Sequence, residues 1–153
     1  MEPRIGAKAR IPNPVLKHFE TLIGEWETTG THPYIPDTTL HGKALFEWIE
    51  GGAFLRMRTE VDHPDIPDGV AIFGSDSTAE TYYMIYFDER GVSRKYDVSV
   101  TGEQLKWWRD DEHLSQRVTI DIDKDTLTSV GEMAQNEGAW EKDLSLAYIR
   151  IQQ

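Results

Sequence analysis

Several stretches of the chain place aromatic and cationic side chains two residues apart. Phe54, Arg56 and Arg58 fall at i, i+2 and i+4, and Tyr82, Met84 and Tyr86 repeat that spacing. Arg94 and Tyr96 follow the same pattern, as do Leu105, Trp107 and Arg109. In an extended chain such positions share a face, because successive side chains alternate. Phenols, an indole and guanidinium groups on one surface suit a small, mostly apolar molecule with a polar or anionic end. The planar guanidinium pairs with a carboxylate through two parallel hydrogen bonds. The candidate ligand-binding residues are Trp48, Arg56, Tyr82, Tyr86, Arg94, Tyr96 and Trp107. A plainer reading stands beside this one. If Leu55 and Met57 face a core, Arg56 and Arg58 point to solvent and pair with acids such as Glu60, and the aromatics are packing.

Other chemistries find little support. The chain has no cysteine, which removes disulfides, thiolate metal sites and a cysteine nucleophile. His32 and His41 flank a long loop, Pro33–Thr39, and with Asp37 come nearest to a metal set. They lack the tight spacing of metal-binding motifs, and no metal is expected. His63 sits in an acidic turn, and no phosphate-loop, dinucleotide or serine-hydrolase signature occurs. Sixteen Lys and Arg against 27 Asp and Glu give a net charge of −11. Such a surface repels phosphate backbones and anionic lipid, so neither nucleic acid nor a membrane is an expected partner. No apolar run nears the ~20 residues of a spanning helix. The opening residues lack the apolar core of a secretory signal, and a cytoplasmic location is expected.

The 153 residues suit one domain. Residues 1–12 lack periodicity and read as a flexible N-terminal arm, leaving residues 13–153 as the folded unit. Asn13-Pro14 is a helix start, since Asn caps free N–H groups and Pro has none to lose. Val15, Leu16, Phe19 and Leu22 form its apolar stripe, and Gly24 ends it. From there the period falls to 2, over 24–30, 40–50, 53–61, 69–75, 81–88, 92–100, 103–109, 115–122, 126–134 and 143–151. Turn-forming residues separate these runs, among them Gly51-Gly52, Ser75–Ala79, Glu89-Arg90-Gly91 and Asp123-Lys124-Asp125. No connection has room for a crossover helix, so the runs pair as antiparallel neighbours. Closing the sheet removes its two edges. The expected fold is all-β, an up-and-down barrel of about ten strands after one short helix, wide enough to hold a cavity.

Gly24-Glu25-Trp26 follows the helix and opens the first run, and Arg150 lies on the last. This arrangement resembles the G-x-W signature of the calycin superfamily, the lipocalins and fatty-acid-binding proteins. The resemblance implies that Trp26 closes one barrel end beneath Arg150, with Gly24 at the turn before it. Tyr86–Arg94, Trp107-Trp108-Arg109-Asp110, Ser115-Gln116-Arg117 and Glu132 with Gly138–Leu144 are similar to a bacterial family of calycin-like proteins without a settled activity. That resemblance spans about residues 13–151. Gly24, Trp26, Gly30, Pro33 and Tyr34 more distantly resemble the nitrobindin haem proteins, which hold iron through a histidine near the start of the last strand. Asp143 stands in that neighbourhood here, and no histidine follows His113, so haem is not expected.

Three functions stay open. The first is reversible binding of a small hydrophobic or amphipathic molecule in the barrel. The second is acid–base catalysis of the decarboxylase or cyclase kind, using interior Tyr, Arg and Glu60. The third is a filled barrel that acts through a protein contact. Ile149 and Ile151 lie on the parity opposite Arg150, which suits either a homodimer patch or packing of the helix.

Overall fold

Asn13 Oδ1 accepts the Val15 N–H at 3.0 Å and opens a 3-10 helix over Pro14–Leu22. Its apolar stripe buries Leu16, Phe19 and Leu22 completely, while Val15 stays exposed. In the computed structural model, which describes residues 11–76 and 81–152, ten strands follow. They are β1 Gly24–His32, β2 Ile35–Ile49, β3 Phe54–Val61, β4 Gly69–Ser75 and β5 Tyr82–Asp88, then β6 Ser93–Val100, β7 Gln104–Arg109, β8 Leu114–Asp123, β9 Thr126–Gln135 and β10 Glu141–Arg150. Each pairs antiparallel with the next, and β10 returns to β1 to close the barrel. The expected ten-stranded up-and-down barrel is therefore what forms. Residues 1–10 of the N-terminal arm and 77–79 of the Ser75–Ala79 separator lie outside the described residues.

One boundary differs from expectation. Pro33–Thr39 is not a long loop. His32 pairs with Ile35 across a two-residue turn, and β2 begins there. The register shifts between Gly30 and His32, where Asp37 adopts a φ of 59°. His41 lies opposite Thr29 rather than His32, so the two histidines do not face each other.

Alternation now assigns the faces. On β3, Leu55 and Met57 are buried and point inward, whereas Phe54, Arg56, Arg58 and Glu60 point outward. On β5, Tyr82, Met84 and Tyr86 point inward, together with Asp88. The inward set continues through Arg94, Tyr96 and Val98 on β6 and Leu105 and Trp107 on β7.

The helix plugs the end where β1 starts. Phe19 meets Phe73 and Tyr82, with ring centroids 5.4 and 5.7 Å away. Trp26 is fully buried there, and its indole N–H donates to Leu22 O at 3.0 Å. The Arg150 guanidinium stacks 4.2 Å from the Trp26 ring centroid. It also donates to the carbonyls of Ile23 and Thr21, each at 2.6 Å. Gly24 has a φ of +135°, and a β-carbon there would come within 2.8 Å of Arg150 Nη1. Backbone freedom and the space for the guanidinium thus require the same glycine. Ile149 is 61% exposed on the outer face, so helix packing does not account for it.

Candidate functional site

The end of the barrel away from the helix is hollow. Its cavity measures about 450 Å3 and opens between the β3–β4 loop, where Asp65, Ile66 and Pro67 contribute, and the starts of β6 and β10. Trp107 and Tyr148 form the floor. They touch the filled end through Phe73, 6.0 Å from Trp107, and Trp26, 6.5 Å from Tyr148. Met57, Met84 and Met133 line the wall, so all methionines but Met1 face this space. Thioether side chains adapt to irregular shapes, which suits a wall that meets a guest.

Polar groups gather at the rim. The Tyr96 hydroxyl donates to Gln116 Oε1 at 2.6 Å, and Gln116 Nε2 donates to Asp143 Oδ2 at 3.4 Å. Asp143 Oδ1 also accepts the Leu144 N–H at 2.8 Å and lies 3.0 Å from His32 Nε2. The Tyr34 N–H donates to His32 Nδ1 at 3.0 Å, so the neutral ring carries its proton on Nε2 and gives it to Asp143. One chain of hydrogen bonds thus runs from β6 through β8 and β10 to β1. A bulge makes it fit. Three residues of β10 span Lys142 to Ser145 where β9 advances two, from Glu132 to Val130, so Asp143 and Leu144 both reach the cavity. Gly131 faces them, and a β-carbon there would lie 2.6 Å from Leu144 O.

A second cluster ties down the β5–β6 turn. The Tyr86 hydroxyl donates to Asp88 Oδ2 at 2.7 Å, and Arg90 Nη2 donates to the same oxygen at 2.6 Å. The Asp88 carboxylate is wholly shielded from solvent. Arg90 chiefly, helped by Tyr86, holds it well below the usual carboxylate range, against the opposing effect of burial. Its stabilisation is complete above the unfolded-state value of ~3.9 and declines as pH falls towards the folded-state value. Urea titrations from pH 6 to 2 should show stability falling below about pH 4, less steeply in Asp88→Asn. Identical slopes in both proteins would remove Asp88 from this role.

Burial is the main cause that raises the phenols of Tyr86, Tyr96 and Tyr148 above the ordinary range, so all are neutral donors near neutral pH. At Tyr96 the guanidinium groups of Arg94 and Arg109 act in the opposite direction.

Of the sequence-stated candidates, Tyr86, Arg94, Tyr96 and Trp107 converge on the cavity. Arg56 does not, because its parity sends it outside, where it pairs with Glu47. Tyr82 is inward but belongs to the plug, its hydroxyl donating to Val15 O at 2.9 Å. Trp48 packs against the core and does not line the cavity. Glu60 is outside and pairs with Arg58 at 3.4 Å, so the interior Tyr, Arg and Glu60 set does not assemble. Sequence reasoning missed Gln116, Asp143 and His32 as one network. Their inward parity was a partial signal; their contact across strands was not. Arg117, Glu132 and Trp140 meet on the outer surface. Arg117 donates to Glu132 at 2.9 Å and lies 3.9 Å from the Trp140 ring centroid.

Comparison with solved structures gives two neighbours. The crystal structure of Rv2717c from M. tuberculosis is similar with a TM-score of 0.67 and 15% identity, over 91% of this chain and 98% of that one. The S-type phycobiliprotein lyase CPES from Guillardia theta is similar with a TM-score of 0.58 and 11% identity, over 91% and 93%. The chain folds as a closed antiparallel barrel of ten strands. At these identities the likeness is one of fold. No family model and no curated protein matches the chain. Among the described residues no helix is long and apolar enough to cross a membrane.

Proposed function

We propose that this protein reversibly binds a small, mostly apolar molecule inside the barrel, with its polar end at Arg94, Tyr96 and Gln116. The observation that carries this reading is the cavity of about 450 Å3, open at one end and lined with apolar side chains. Ligand pockets typically enclose ~300–1,000 Å3, with a few polar groups to orient the guest. A filled barrel would have no such space. The rim supplies that orienting set, and the methionine wall tolerates variation in the guest's shape.

Native mass spectrometry of the purified protein, followed by extraction under denaturing conditions, tests the proposal. The expected result is a mass excess that disappears on denaturation. For protein isolated empty, the expected result is saturable fluorescence enhancement of the uncharged probe N-phenyl-1-naphthylamine. An empty protein that leaves this probe unchanged would falsify the proposal.

The same reading includes no haem. His32 is the one histidine among the described cavity residues, and both its nitrogens are engaged, with Tyr34 N–H and with Asp143. Asp143 is a poor substitute for imidazole on haem iron. Titration with haemin should therefore produce no sharp Soret band beyond that of free haemin. A saturable, red-shifted band at one equivalent would overturn this part.

A further inference from the structure

We propose that two His-Pro turns, at His32 and His63, latch the mouth of the cavity, and that protonation of their rings opens it, so that the guest is held at neutral pH and released in mild acid. This rests on the cavity reading above.

The sequence contains His-Pro twice, in His32-Pro33-Tyr34 and His63-Pro64-Asp65. Both fall on connections at the open end, the β1–β2 turn and the β3–β4 loop. Each uses the same device. His32 Nδ1 accepts the Tyr34 N–H at 3.0 Å, and His63 Nδ1 accepts the Asp65 N–H at 3.1 Å. A ring nitrogen thus holds the amide two residues on, as Asn and Asp side chains do in Asx-turns. The prolines make these bonds count, because they have no N–H to offer. In the two-residue turn 33–34 the Tyr34 N–H is the sole backbone donor, and it goes to the ring. In 64–67 the two donors are the N–H groups of Asp65 and Ile66. Both go to His63, one to the ring and the other to the carbonyl at 3.1 Å. Asp65, Ile66 and Pro67 form one side of the mouth, and His32 itself lines the cavity.

Imidazole accepts through Nδ1 only while neutral, since both nitrogens donate in the cation. Protonation would turn an N–H of each ring toward the amide N–H it now holds. Imidazole is the side chain that changes charge between about pH 5 and 8, whereas carboxyl groups ordinarily titrate below that window and phenols above it. His32 faces Asp143 of β10 at 3.0 Å and Tyr34, whose hydroxyl donates to Glu141 of β10 at 3.0 Å. Asp143 can keep its hold on Nε2 in either charge state, so the bond lost is the one that fixes the turn. His63 shares its loop with Asp62, Asp65 and Asp68. The Asp62 N–H donates to His41 O on β2, and the Asp68 N–H donates to Glu89 Oε1 in the β5–β6 turn. Arg90 of that turn is held by Asp88. A cationic His63 is drawn to the carboxylates around it and away from the amide.

NMR and probe release test the latch and the gate separately. At pH 8 the ring nitrogen resonances should show both histidines with the proton on Nε2. On titration to pH 5 the Tyr34 and Asp65 amide resonances should each move with the midpoint of their own ring. Over the same range the uncharged probe N-phenyl-1-naphthylamine, displaced by excess dodecanol, should leave about fivefold faster, the scale of one ordinary hydrogen bond. His63→Asn gives the Asp65 amide an oxygen acceptor that stays neutral, and should remove much of that rise. The double variant with His32→Asn should remove nearly all of it. Amides that ignore the rings, or a proton on Nδ1 at pH 8, would show that there is no latch. Amides that follow the rings while release stays constant, or a rise that survives in the double variant, would show that the latches do not gate the mouth. In each of these cases saturable binding of the probe at pH 8 leaves the cavity reading intact. If the probe binds at neither pH, the cavity reading falls and the gate falls with it.

Discussion

Trp26→Ala should lower the unfolding free energy by ~3–5 kcal/mol, the usual cost of truncating a buried tryptophan. The side chain is fully buried, and its indole N–H satisfies Leu22 O at 3.0 Å. It also supports Arg150, stacked 4.2 Å from its centroid, and meets Tyr148 edge-on. Removing the ring leaves a cavity between the helix and the barrel and an unpaired carbonyl. It also takes away the surface on which the guanidinium lies, worth ~0.5–2 kcal/mol in its own right. A small domain has ~5–15 kcal/mol in total, so the variant should melt well below the parent. Urea denaturation with an unchanged m-value is the check. A loss under about 1 kcal/mol would show that the closure does not depend on this ring.

Gly42→Ala should cost stability near the upper end of the ~1–3 kcal/mol seen for overpacking. A β-carbon at Gly42 would lie 2.0 Å from Glu60 O and 3.0 Å from Thr28 Oγ1. The first contact is with backbone held in the β2–β3 ladder, where Gly42 pairs with Val61 and Lys43 with Glu60. Nothing flexible can move aside. Gly30 is in the same position, with Ser145 O 2.0 Å from its added carbon. These glycines let neighbouring strands approach closely where the barrel wall bends. Equilibrium unfolding of Gly42→Ala measures the cost, and an unchanged midpoint would show that the wall relaxes there.

The strands were legible because each alternates with period 2 and ends in residues that turn the chain. Those signals are local and survive without neighbours. The start of β2 was not, because Pro36 and the positive φ of Asp37 interrupt the alternation in a stretch that still pairs. The parity of β3 was ambiguous for a related reason. Leu55 and Met57 on one face compete with Phe54 on the other, and only packing decides between them. The candidate cavity set was partly legible, since Arg94, Tyr96 and Trp107 follow the same spacing. Arg56 misled because spacing reports which residues share a face, not which face is inside. The His32–Asp143 contact joins residues 111 positions apart through a bulge, and no local pattern encodes it.

The division of the barrel into a filled half and a hollow half bears on its evolution. Leu16, Phe19 and Leu22 of the helix make the solid end with Trp26, Phe46 and Phe73, and all six side chains are fully buried. The rim carries the polar groups and the open volume. Substitutions in the solid end are constrained by fit, whereas rim residues can be exchanged in sets with little loss of packing. Such a frame can accept a new guest by changes at its mouth alone. That freedom is compatible with structural neighbours that share the frame at only 15% and 11% identity.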